Sequence, residues 1–543
     1  MKKLICSLLA VGMLLAGCAG PGGETTLPTV PGAASNPTEN LVNPERLDVK
    51  PSGYVLHAGE TLIRLSDAGI EENAEGVFVA NDIVYYEEGR DFTYGEGGPG
   101  DTHSAQEAAA HQVVHITQPG TYVITGTLSA GQIAVDLGKD AKDDPNAVVT
   151  LILDGVDITC TVAPAVIFYN VYECGSDDAA SATHVVDTSA AGANVVIAGG
   201  SVNIINGAYV AKIYKEGTVV LDEDGDEVED AKKLHKYDAA FYSKMSMNVD
   251  GGGILLINAE NEGLGTEMHL TINGGDIRIR SGNDGINTNE DDISVTTVNG
   301  GILDIVVTGE TGEGDGIDSN GWILVNGGVV KASACGRSMD SGLDADRGIV
   351  LNGGRVFASG NMADAVSGGD MTYALFSFDR TRSGGLVYRM KDGEGRVVLE
   401  FTPENAFTCL ILGGDNLSPG EYTLWEGESQ LAGSAGNGFG GFPGRPDFRP
   451  PEGDYEIPPQ PSRPVEQQGA RPGGDWESDA PPTMPEGETW PQGSMIPGGN
   501  PGWRPGQGNS GGVTGGEDQA NAKEQVMLIF KLVKGGNMFR IAG

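Results

Sequence analysis

The central part of the chain alternates short apolar runs with glycine-rich polar turns. In Ile277-Arg-Ile279 and Ile349-Val-Leu351, for example, apolar β-branched residues or leucine recur at every second position. This period of two predicts β-strands. Further towards the N-terminus, Val148–Thr159 has the same pattern, and its Asp154-Gly155 pair predicts a turn between two strands. Each run is too short to be stable alone, so the strands must pair with those of neighbouring segments.

The turns carry two repeated phrases, and the first of them recurs about every 26 residues. One is Asn-Gly-Gly, and the other is an acidic residue or serine, then Gly, an aliphatic residue and Asn or Asp. The first begins at Asn273, Asn299, Asn326 and Asn352, and the second at Asp284, Asp315 and Ser341, with degraded copies at Glu262 and Asp364. A period in this range marks stacked repeats, and a propeller blade would need a longer unit with four strands. The pattern predicts an all-β parallel β-helix, in which each coil pairs with the next.

Stacking would align the polar turn residues of successive coils in columns, roughly 4.8 Å apart. The predicted columns are Glu262, Asp284, Asp315, Ser341 (with Asp340 beside it) and Asp364; Gly265, Asn287, Asp318, Asp344 and Ser367; and Asn289, Asn320 and Asp346. Adjacent carboxylates would repel each other by about 1 kcal/mol or more at a surface dielectric. A cation between them would remove this repulsion.

The columns therefore predict a metal site built from oxygen ligands. A set of Asp, Asn and Glu without His or Cys suits Ca²⁺. The candidate ligands are Asp284, Asn287, Asn289, Asp315, Asp318, Asn320, Asp340, Asp344 and Asp346. The alternative is that Asp and Asn occur here only because they favour tight turns.

Composition narrows the classes of partner. The 543 residues include 85 glycines, and the formal net charge is −42 with a pI near 4.3. Such an acidic chain disfavours nucleic acid and anionic membrane surfaces as partners. Cations and neutral polymers remain compatible, whereas an anionic polymer would need a bridging metal.

The N-terminus has the features of a secreted lipoprotein. Two lysines precede an apolar stretch that ends in Leu15-Ala-Gly-Cys18 and is too short to span a bilayer. This stretch resembles a bacterial lipobox, which implies cleavage of residues 1–17 and lipidation of Cys18. Residues 18–51 form a predicted linker. The expected location is the extracellular face of the bacterial membrane, with the lipid as the only membrane contact.

The C-terminal region is predicted to close the stack. Residues 52–370 would form the β-helix, and residues 371–432 alternate again, which predicts a small β cap. Residues 433–523 are rich in Gly and Pro and predict a disordered insertion. Residues 524–543 contain an apolar run that predicts a final strand returning to the cap. The scattered Cys160, Cys174, Cys335 and Cys409 do not form a disulfide framework.

The ordered set of these motifs resembles a known family. Gly120-Thr-Tyr-Val-Ile-Thr-Gly-Thr-Leu, Val149-Thr-Leu-Ile-Leu-Asp-Gly-Val and the repeated turns are similar to the clostridial carbohydrate-binding lipoproteins of the parallel β-helix type. The resemblance covers roughly residues 55–430. It implies a right-handed, single-stranded β-helix like that of pectate lyases, calcium along one face, and binding of cellulose or pectate. Asp284, Asp315 and Asp318 are the positions that match the family's turn motif.

Three functions remain open at this stage: a calcium-dependent polysaccharide-binding protein, a polysaccharide lyase and an adhesin or spacer without a ligand. We favour binding of a pectate-like or cellulose-like polymer by a monomer. Trp322 is the candidate sugar platform, and Arg347 is a candidate ligand-binding residue that could equally neutralise the acidic face. A lyase would need a base beside the metal, and the candidates are Lys331, Arg337, Arg347 and Arg355.

Overall fold

The computed structural model describes residues 47–71, 74–90, 94–215, 217–218, 233–431, 433–435 and 530–541. The signal segment with Cys18 and nearly all of the Gly- and Pro-rich segment lie outside these residues, so their predictions stay predictions. In the described part of the chain, no helix combines the length and apolarity needed to cross a membrane.

Nearly all regular structure in the first half is β-sheet. A short α-helix covers Ala105–Ala109, where the Ser104 hydroxyl accepts the Glu107 amide, and a 3-10 helix covers Lys139–Asp143. The strands of this half are β1 Glu60–Ser66, β2 Gly69–Ile70, β3 Val77–Ala80, β4 Gly95–Glu96, β5 Gln112–Ile116, β6 Gly120–Leu128, β7 Gly131–Asp136, β8 Val149–Cys160, β9 Val166–Asn170, β10 Ala193–Ile197, β11 Val202–Gly207, β12 Val210–Tyr214, β13 Lys233–Tyr237, β14 Ala239–Ser243, β15 Met247–Gly251 and β16 Ile254–Ala259.

The repeat region and the C-terminal cap continue in the same way. The repeat strands are β17 Glu262–Thr266, β18 Leu270–Ile272, β19 Asp276–Ser281, β20 Ile286–Thr288, β21 Val295–Val298, β22 Ile302–Val307, β23 Ile317–Ser319, β24 Trp322–Val325, β25 Val329–Ser333, β26 Leu343–Ala345, β27 Gly348–Leu351, β28 Arg355–Gly360 and β29 Val366–Gly368. The cap strands are β30 Tyr373–Arg382, β31 Tyr388–Asp392, β32 Val397–Phe401, β33 Phe407–Gly414, β34 Gly420–Glu426, β35 Ser429–Gln430, β36 Gly433–Ala435, β37 Phe530–Leu532 and β38 Gly536–Ile541.

Successive coils pair in parallel along three ladders. Ladder 1 runs through β5, β7, β9, β14, β17, β20, β23 and β26. Ladder 2 runs through β6, β8, β10, β15, β18, β21, β24 and β27. Ladder 3 runs through β8, β11, β16, β19, β22, β25 and β28. The all-β architecture and the parallel stacking of coils agree with the sequence prediction, and the right hand of the coil stays a prediction.

Apolar side chains fill the inside of the coils, because every second residue of a strand points inwards. In ladder 1, Leu264, Ile286, Ile317 and Leu343 stack on one another and are at most 1% exposed. Equivalent columns come from the other two ladders, for example Ile277, Leu303, Val330 and Val356 of ladder 3. Each coil buries its apolar face only against its neighbours, which is why no single unit could fold alone.

The prediction of two strands about Asp154-Gly155 is wrong. Residues Val149–Cys160 form one continuous strand, β8, whose first part belongs to ladder 2 and whose last part belongs to ladder 3. Gly155 lies at the corner with a φ of 75°, a left-handed conformation that glycine adopts without strain. The corner is therefore a bend within a paired strand rather than a turn that ends it.

The C-terminal cap packs on the last coil. Strand β33 runs antiparallel to β28 of ladder 3, and β30 runs antiparallel to β33. The chain after the undescribed segment returns here, because β37 pairs with β34 and β38 pairs with β30. This return agrees with the strand predicted from the apolar run. All four cysteines of the described chain are free, which agrees with the prediction that they form no disulfide framework.

Candidate metal centre

The acidic turns sit at the entrance to the ladder 1 strands, where glycines allow the coils to approach closely. Gly285 and Gly316 each precede the inward aliphatic residue of their strand. A Cβ atom on Gly316 would lie 2.5 Å from the carbonyl oxygen of Gly342, and one on Gly285 would lie 2.6 Å from that of Gly316. Real Cβ atoms do not approach backbone oxygen so closely. The glycine of the turn phrase is therefore required by backbone contact between coils.

The first predicted column is linked by hydrogen bonds from one coil to the next. The Asp315 amide donates to Asp284 Oδ1 at 2.6 Å, and the Ser341 amide donates to Asp315 Oδ1 at 2.5 Å. A carboxylate that accepts a backbone N–H makes a strong, charge-assisted bond. The column thus fixes the orientation of both carboxyl groups. Asp340 takes a separate role, because its Oδ2 accepts the Gly314 amide at 2.9 Å and the Ser338 hydroxyl.

The second column follows the predicted register from Gly265 to Asp344. Gly265 pairs with Asn287, Asn287 with Asp318, and Asp318 with Asp344. Together with Asp315 of the first column, Asp318 and Asp344 each place a carboxylate oxygen so that the three atoms lie within 4.8 Å of one another. All three residues are partly exposed. The two columns therefore meet in one cluster of carboxylates, which we call the carboxylate triad.

Buried polar groups extend this site by one coil towards the N-terminus. Asn287 Nδ2 donates to Glu262 Oε1 at 3.0 Å and to Asp284 Oδ2 at 3.3 Å. Glu262 is 5% exposed and Asn287 is 7% exposed. Within the described residues, Glu262 Oε2 and Asn287 Oδ1 have no hydrogen-bond partner. A buried acceptor without a partner carries a desolvation cost of about 1–3 kcal/mol, and a bound cation would offset it.

The crowding of carboxyl groups shifts their titration. Burial raises the pKa of Asp284 to about 8, and the nearby charge of Asp318 adds to the rise. Burial also raises the pKa of Asp315 to about 9, with the charges of Asp284 and Asp344 contributing. For Glu262, burial and the charges of Asp238 and Asp284 hold the pKa well above its usual range. Asp284 and Asp315 therefore keep their protons at neutral pH unless a cation compensates the negative charge.

The third predicted column lies further along the turn. Asn289, Asn320 and Asp346 occupy equivalent positions after β20, β23 and β26. Asn320 Nδ2 donates to the Asn289 carbonyl at 2.8 Å and to Asp291 at 2.7 Å. Asp346 is exposed. Among the described residues, the carboxylate triad is the only group of three or more His, Cys, Asp or Glu side chains close enough to share a metal ion, and Asp346 is not in it. Asn289 and Asn320 stay predicted ligands.

The first and second columns do not reach Asp364 and Ser367, which the sequence predicts as their last members. Ser341 pairs with Met362 instead of Asp364, and the Asp364 carboxylate accepts the Ala345 amide at 3.1 Å. Ser367 lies in β29, which pairs with β27 of ladder 2, so it does not extend the second column. The prediction of Asp364 and Ser367 as column members is wrong, because neither residue keeps the ladder 1 register in the last coil.

Trp322 is not an open platform for a sugar. Its side chain is 9% exposed and packs in a cluster with Val295, Leu324 and, from the loop between β9 and β10, Ala182 and Val186. The Arg347 guanidinium lies 5.1 Å from the centre of the indole ring and forms an ion pair with Asp292 at 2.9 Å. The alternative reading of Arg347, neutralisation of the acidic face, agrees with this contact.

The candidate bases of a lyase also have structural partners. Lys331 Nζ lies 3.6 Å from an Asp304 carboxylate on the outer face of ladder 3, away from the acidic turns. Arg337 donates to the Thr308 and Gly309 carbonyls. Arg355 is exposed at the start of β28. No contact in the described structure favours one of these residues as a base beside the carboxylate triad.

The sequence reasoning missed the cation that lies beside the buried carboxyls. Lys236 Nζ is 3.0 Å from Asp238, and Asp238 in turn precedes the first residue of β14 in ladder 1. Burial alone would lower the pKa of Lys236, but the carboxylates of Asp238, Glu262 and Glu267 outweigh it, so the pKa is raised. The sequence around Lys236 lacks the repeated turn phrase. The repeat pattern therefore could not predict that Lys236 lies beside these buried carboxyl groups.

The donor set and the geometry suit a hard divalent cation. The triad offers three carboxylate oxygens at separations that one ion can span. Ca²⁺ takes six to eight oxygen ligands, so protein groups alone would leave positions for water or another ligand. The residues present therefore fit the calcium ion that the sequence predicts.

The fold and this site define an all-β protein of stacked parallel coils with an acidic, oxygen-only centre. A family model described as "Carbohydrate-binding domain-containing protein" matches residues 110–190 and 177–370, which contain the whole carboxylate triad. A protein of the same description from Acetivibrio thermocellus is 29% identical over 175 residues. That match covers 32% of this chain and 47% of the relative, so it spans about half of the relative's length.

One solved structure matches part of the chain. It is described as the structure of the polysaccharide lyase-like protein from C. thermocellum, in a gadolinium derivative. The two chains are 21% identical with a TM-score of 0.30, and the match covers 57% of this chain and 92% of the other.

Proposed function

We propose that this protein binds polysaccharide and that calcium held at the carboxylate triad forms part of the binding surface. The support comes from the family match over residues 110–370 and from the oxygen-only cluster within that range. The single observation that carries the metal is the convergence of Asp315, Asp318 and Asp344 from two adjacent coils. A pectate-like polymer fits best, because its carboxylates can complete the shell of a bound Ca²⁺.

The residues of the site would have different roles in binding. Asp318 and Asp344 present carboxylates on the outer face of ladder 1, while Asp315 is oriented by the Ser341 amide. The polar surface continues from the triad towards the N-terminal coils through Asn287, Asp284 and Glu262. Calcium would supply the positive charge that an acidic chain needs to hold an anionic polymer. Cys18 would anchor the whole protein through its lipid at the cell surface.

The test replaces two carboxylates of the triad. Asp315→Asn combined with Asp318→Asn keeps the size and turn preference of both residues and removes two charges. Calorimetry should show that calcium affinity falls at least tenfold, about 1.4 kcal/mol. Binding to polygalacturonate should fall by a similar factor, and EDTA should abolish the binding of the wild type. A simultaneous assay for unsaturated products would reveal lyase activity.

A matched control removes two charges elsewhere. Asp140→Asn with Asp143→Asn changes two exposed residues of the 3-10 helix, outside the triad. Calcium and polygalacturonate binding should stay within twofold of the wild type. Equal calcium and polygalacturonate binding by the triad variant and this control would show that the acidic residues serve only to form the turns. Binding of polygalacturonate that persists in EDTA would reject the calcium bridge.

A further inference from the structure

The outer face of ladder 2 carries a groove that is separate from the acidic turns. A cavity of about 500 Å³ lies between this face and a segment of the loop that joins β9 to β10. Val185, Val186, Asp187, Thr188 and Ser189 form one wall. The floor is made by outward residues of β8, β10, β15, β18, β21 and β24 and of the turns that follow them. The volume lies in the range of small-ligand sites.

The loop is fixed over the sheet by buried contacts. The Thr188 hydroxyl contacts the Asn248 side-chain oxygen and the Thr271 hydroxyl, each at 2.7 Å, and Asn248 Nδ2 donates to the Thr188 carbonyl at 2.8 Å. Thr188 is 5% exposed. Farther along, Val186 packs against the cluster around Trp322 and Leu324. The wall is therefore held in place at two points by the protein's own contacts.

Most of the floor is formed by two parallel columns of uncharged polar side chains. One column contains Thr150, Asn194, Asn248, Thr271 and Thr297, which occupy the same register position in successive strands. The second contains the asparagines of the Asn-Gly-Gly turns. Asn299 Nδ2 donates to Asn273 Oδ1 at 2.9 Å, and Asn326 Nδ2 donates to Asn299 Oδ1 at 2.9 Å.

These amides keep hydrogen-bonding capacity for a ligand. A primary amide has two N–H donors and an oxygen with two lone pairs, and each link of this ladder uses one donor and one lone pair. Asn273, Asn299 and Asn326 are all exposed and line the cavity. The remaining donors and acceptors recur at the coil spacing of about 4.8 Å. A ligand that meets them must itself offer hydroxyl groups at regular intervals.

The charge of the groove selects against anions. Among the described residues, its lining contains no Lys, Arg or His, and its ionisable residues are Asp187 and Asp250. In a chain with a net charge of −42, an anionic polymer would find no partner there. Apolar contact is available from Val185, Val186 and Leu324, which suits the C–H faces of sugar rings. We propose that this groove binds a segment of a neutral glycan, without calcium, as a second carbohydrate site.

The test uses cellohexaose as the probe, in the presence of EDTA, with the full chain. Calorimetry should detect binding to the wild type, and Asn273→Ala with Asn299→Ala should weaken it at least tenfold. Asn352→Ala is the matched control, because Asn352 continues the same amide ladder through a 2.7 Å bond to Asn326 but does not line the cavity. The control should bind within twofold of the wild type.

A measurement on the wild type tests the site without relying on the folding of a variant. Hydrogen exchange should slow in residues 182–189 and 294–299 when cellohexaose is added, and residues 314–320 should not change. Absence of cellohexaose binding by the wild type, or equal weakening by Asn352→Ala, would overturn the proposal. Binding that requires calcium, or that disappears in the Asp315→Asn, Asp318→Asn variant, would place the neutral glycan at the acidic turns and also reject the groove.

The proposal does not depend on the calcium site. Cellohexaose binding by the groove can succeed while calcium-dependent binding of polygalacturonate fails, and the reverse can also occur. Each site therefore has its own ligand, its own variant and its own control.

Discussion

At the scale of single residues, the acidic turns combine a structural and a chemical role. Asp284 and Asp315 both accept a backbone amide of the next coil, which the register of the repeat alone could suggest. Their raised pKa values depend on burial and on neighbouring charges, which no sequence pattern reports. The sequence thus predicted which residues meet, whereas their protonation follows from the depth at which the fold places them.

The protonation of these groups predicts a pH dependence of stability in EDTA. An unfolded Asp loses its proton near pH 4, whereas Asp284 and Asp315 in the folded state hold theirs up to about pH 8 and 9. Because the folded state binds more protons, the free energy of unfolding falls as pH rises through this window. Urea midpoints at pH 5, 7 and 9 should decline less in the Asp284→Asn, Asp315→Asn variant than in the wild type. An equal decline of the urea midpoint in the wild type and the variant would contradict the raised pKa values of Asp284 and Asp315.

The turn glycines predict a steric effect that is independent of charge. In Gly316→Ala, the new Cβ would lie 2.5 Å from the Gly342 carbonyl oxygen and 2.7 Å from Ala332 Cβ. Overpacking of this kind costs about 1–3 kcal/mol, measurable as a lower urea midpoint. Gly199→Ala is the control, because nothing lies within 4 Å of its Cβ position and its φ is not in the left-handed region. A change of more than about 0.5 kcal/mol in the control would show that glycine acts mainly through the unfolded chain.

At the scale of elements, the cap depends on strands that follow the long undescribed segment. Phe539 of β38 is 6% exposed, and its ring centre lies 4.5 Å from that of Phe530 and 5.6 Å from that of Phe376. Phe539→Ala should cost about 3–5 kcal/mol in the unfolding of the cap. Val533→Ala, at a residue that is 55% exposed, should change stability little. The unfolding of the cap can be measured by Phe fluorescence or by proteolysis. Equal unfolding midpoints for the two variants would argue against the docking of β38.

Elements that repeat were predictable, and elements that interrupt the repeat were not. The repeated turn phrase placed Asn287, Asp318 and Asp344 in one column, because parallel stacking preserves register. The loop between β9 and β10 has no periodic partner, so its cover over Trp322 could not be foreseen. The last coil leaves the ladder 1 register, so Ser367 lies in a strand that pairs with ladder 2. Register can be calculated from a repeat, but the path of an insertion depends on contacts that only the folded chain supplies.

At the scale of the whole molecule, a bound ion would stabilise several coils together. The triad joins β23 and β26 with the turn before β23, so an ion there would connect neighbouring units of the stack. Calcium at a hundred times its dissociation constant should raise the free energy of unfolding by about 2.7 kcal/mol. Melting curves of the wild type with calcium and with EDTA should differ accordingly. The Asp315→Asn, Asp318→Asn variant should show a much smaller difference, and an equal one would place the ion elsewhere.

The antiparallel strands at the ends of the stack bear on self-association. A stack of parallel coils exposes unpaired backbone groups at each end, and such edges promote polymerisation. Here β3 covers the first strand of ladder 1 in the antiparallel direction, and β33 covers the last strand of ladder 3 in the same way. A second copy that approached either of these edges would meet a strand of reversed polarity and could not continue the parallel register. At these two edges, the reversed strands would stop a parallel fibre from growing by end-to-end stacking of copies.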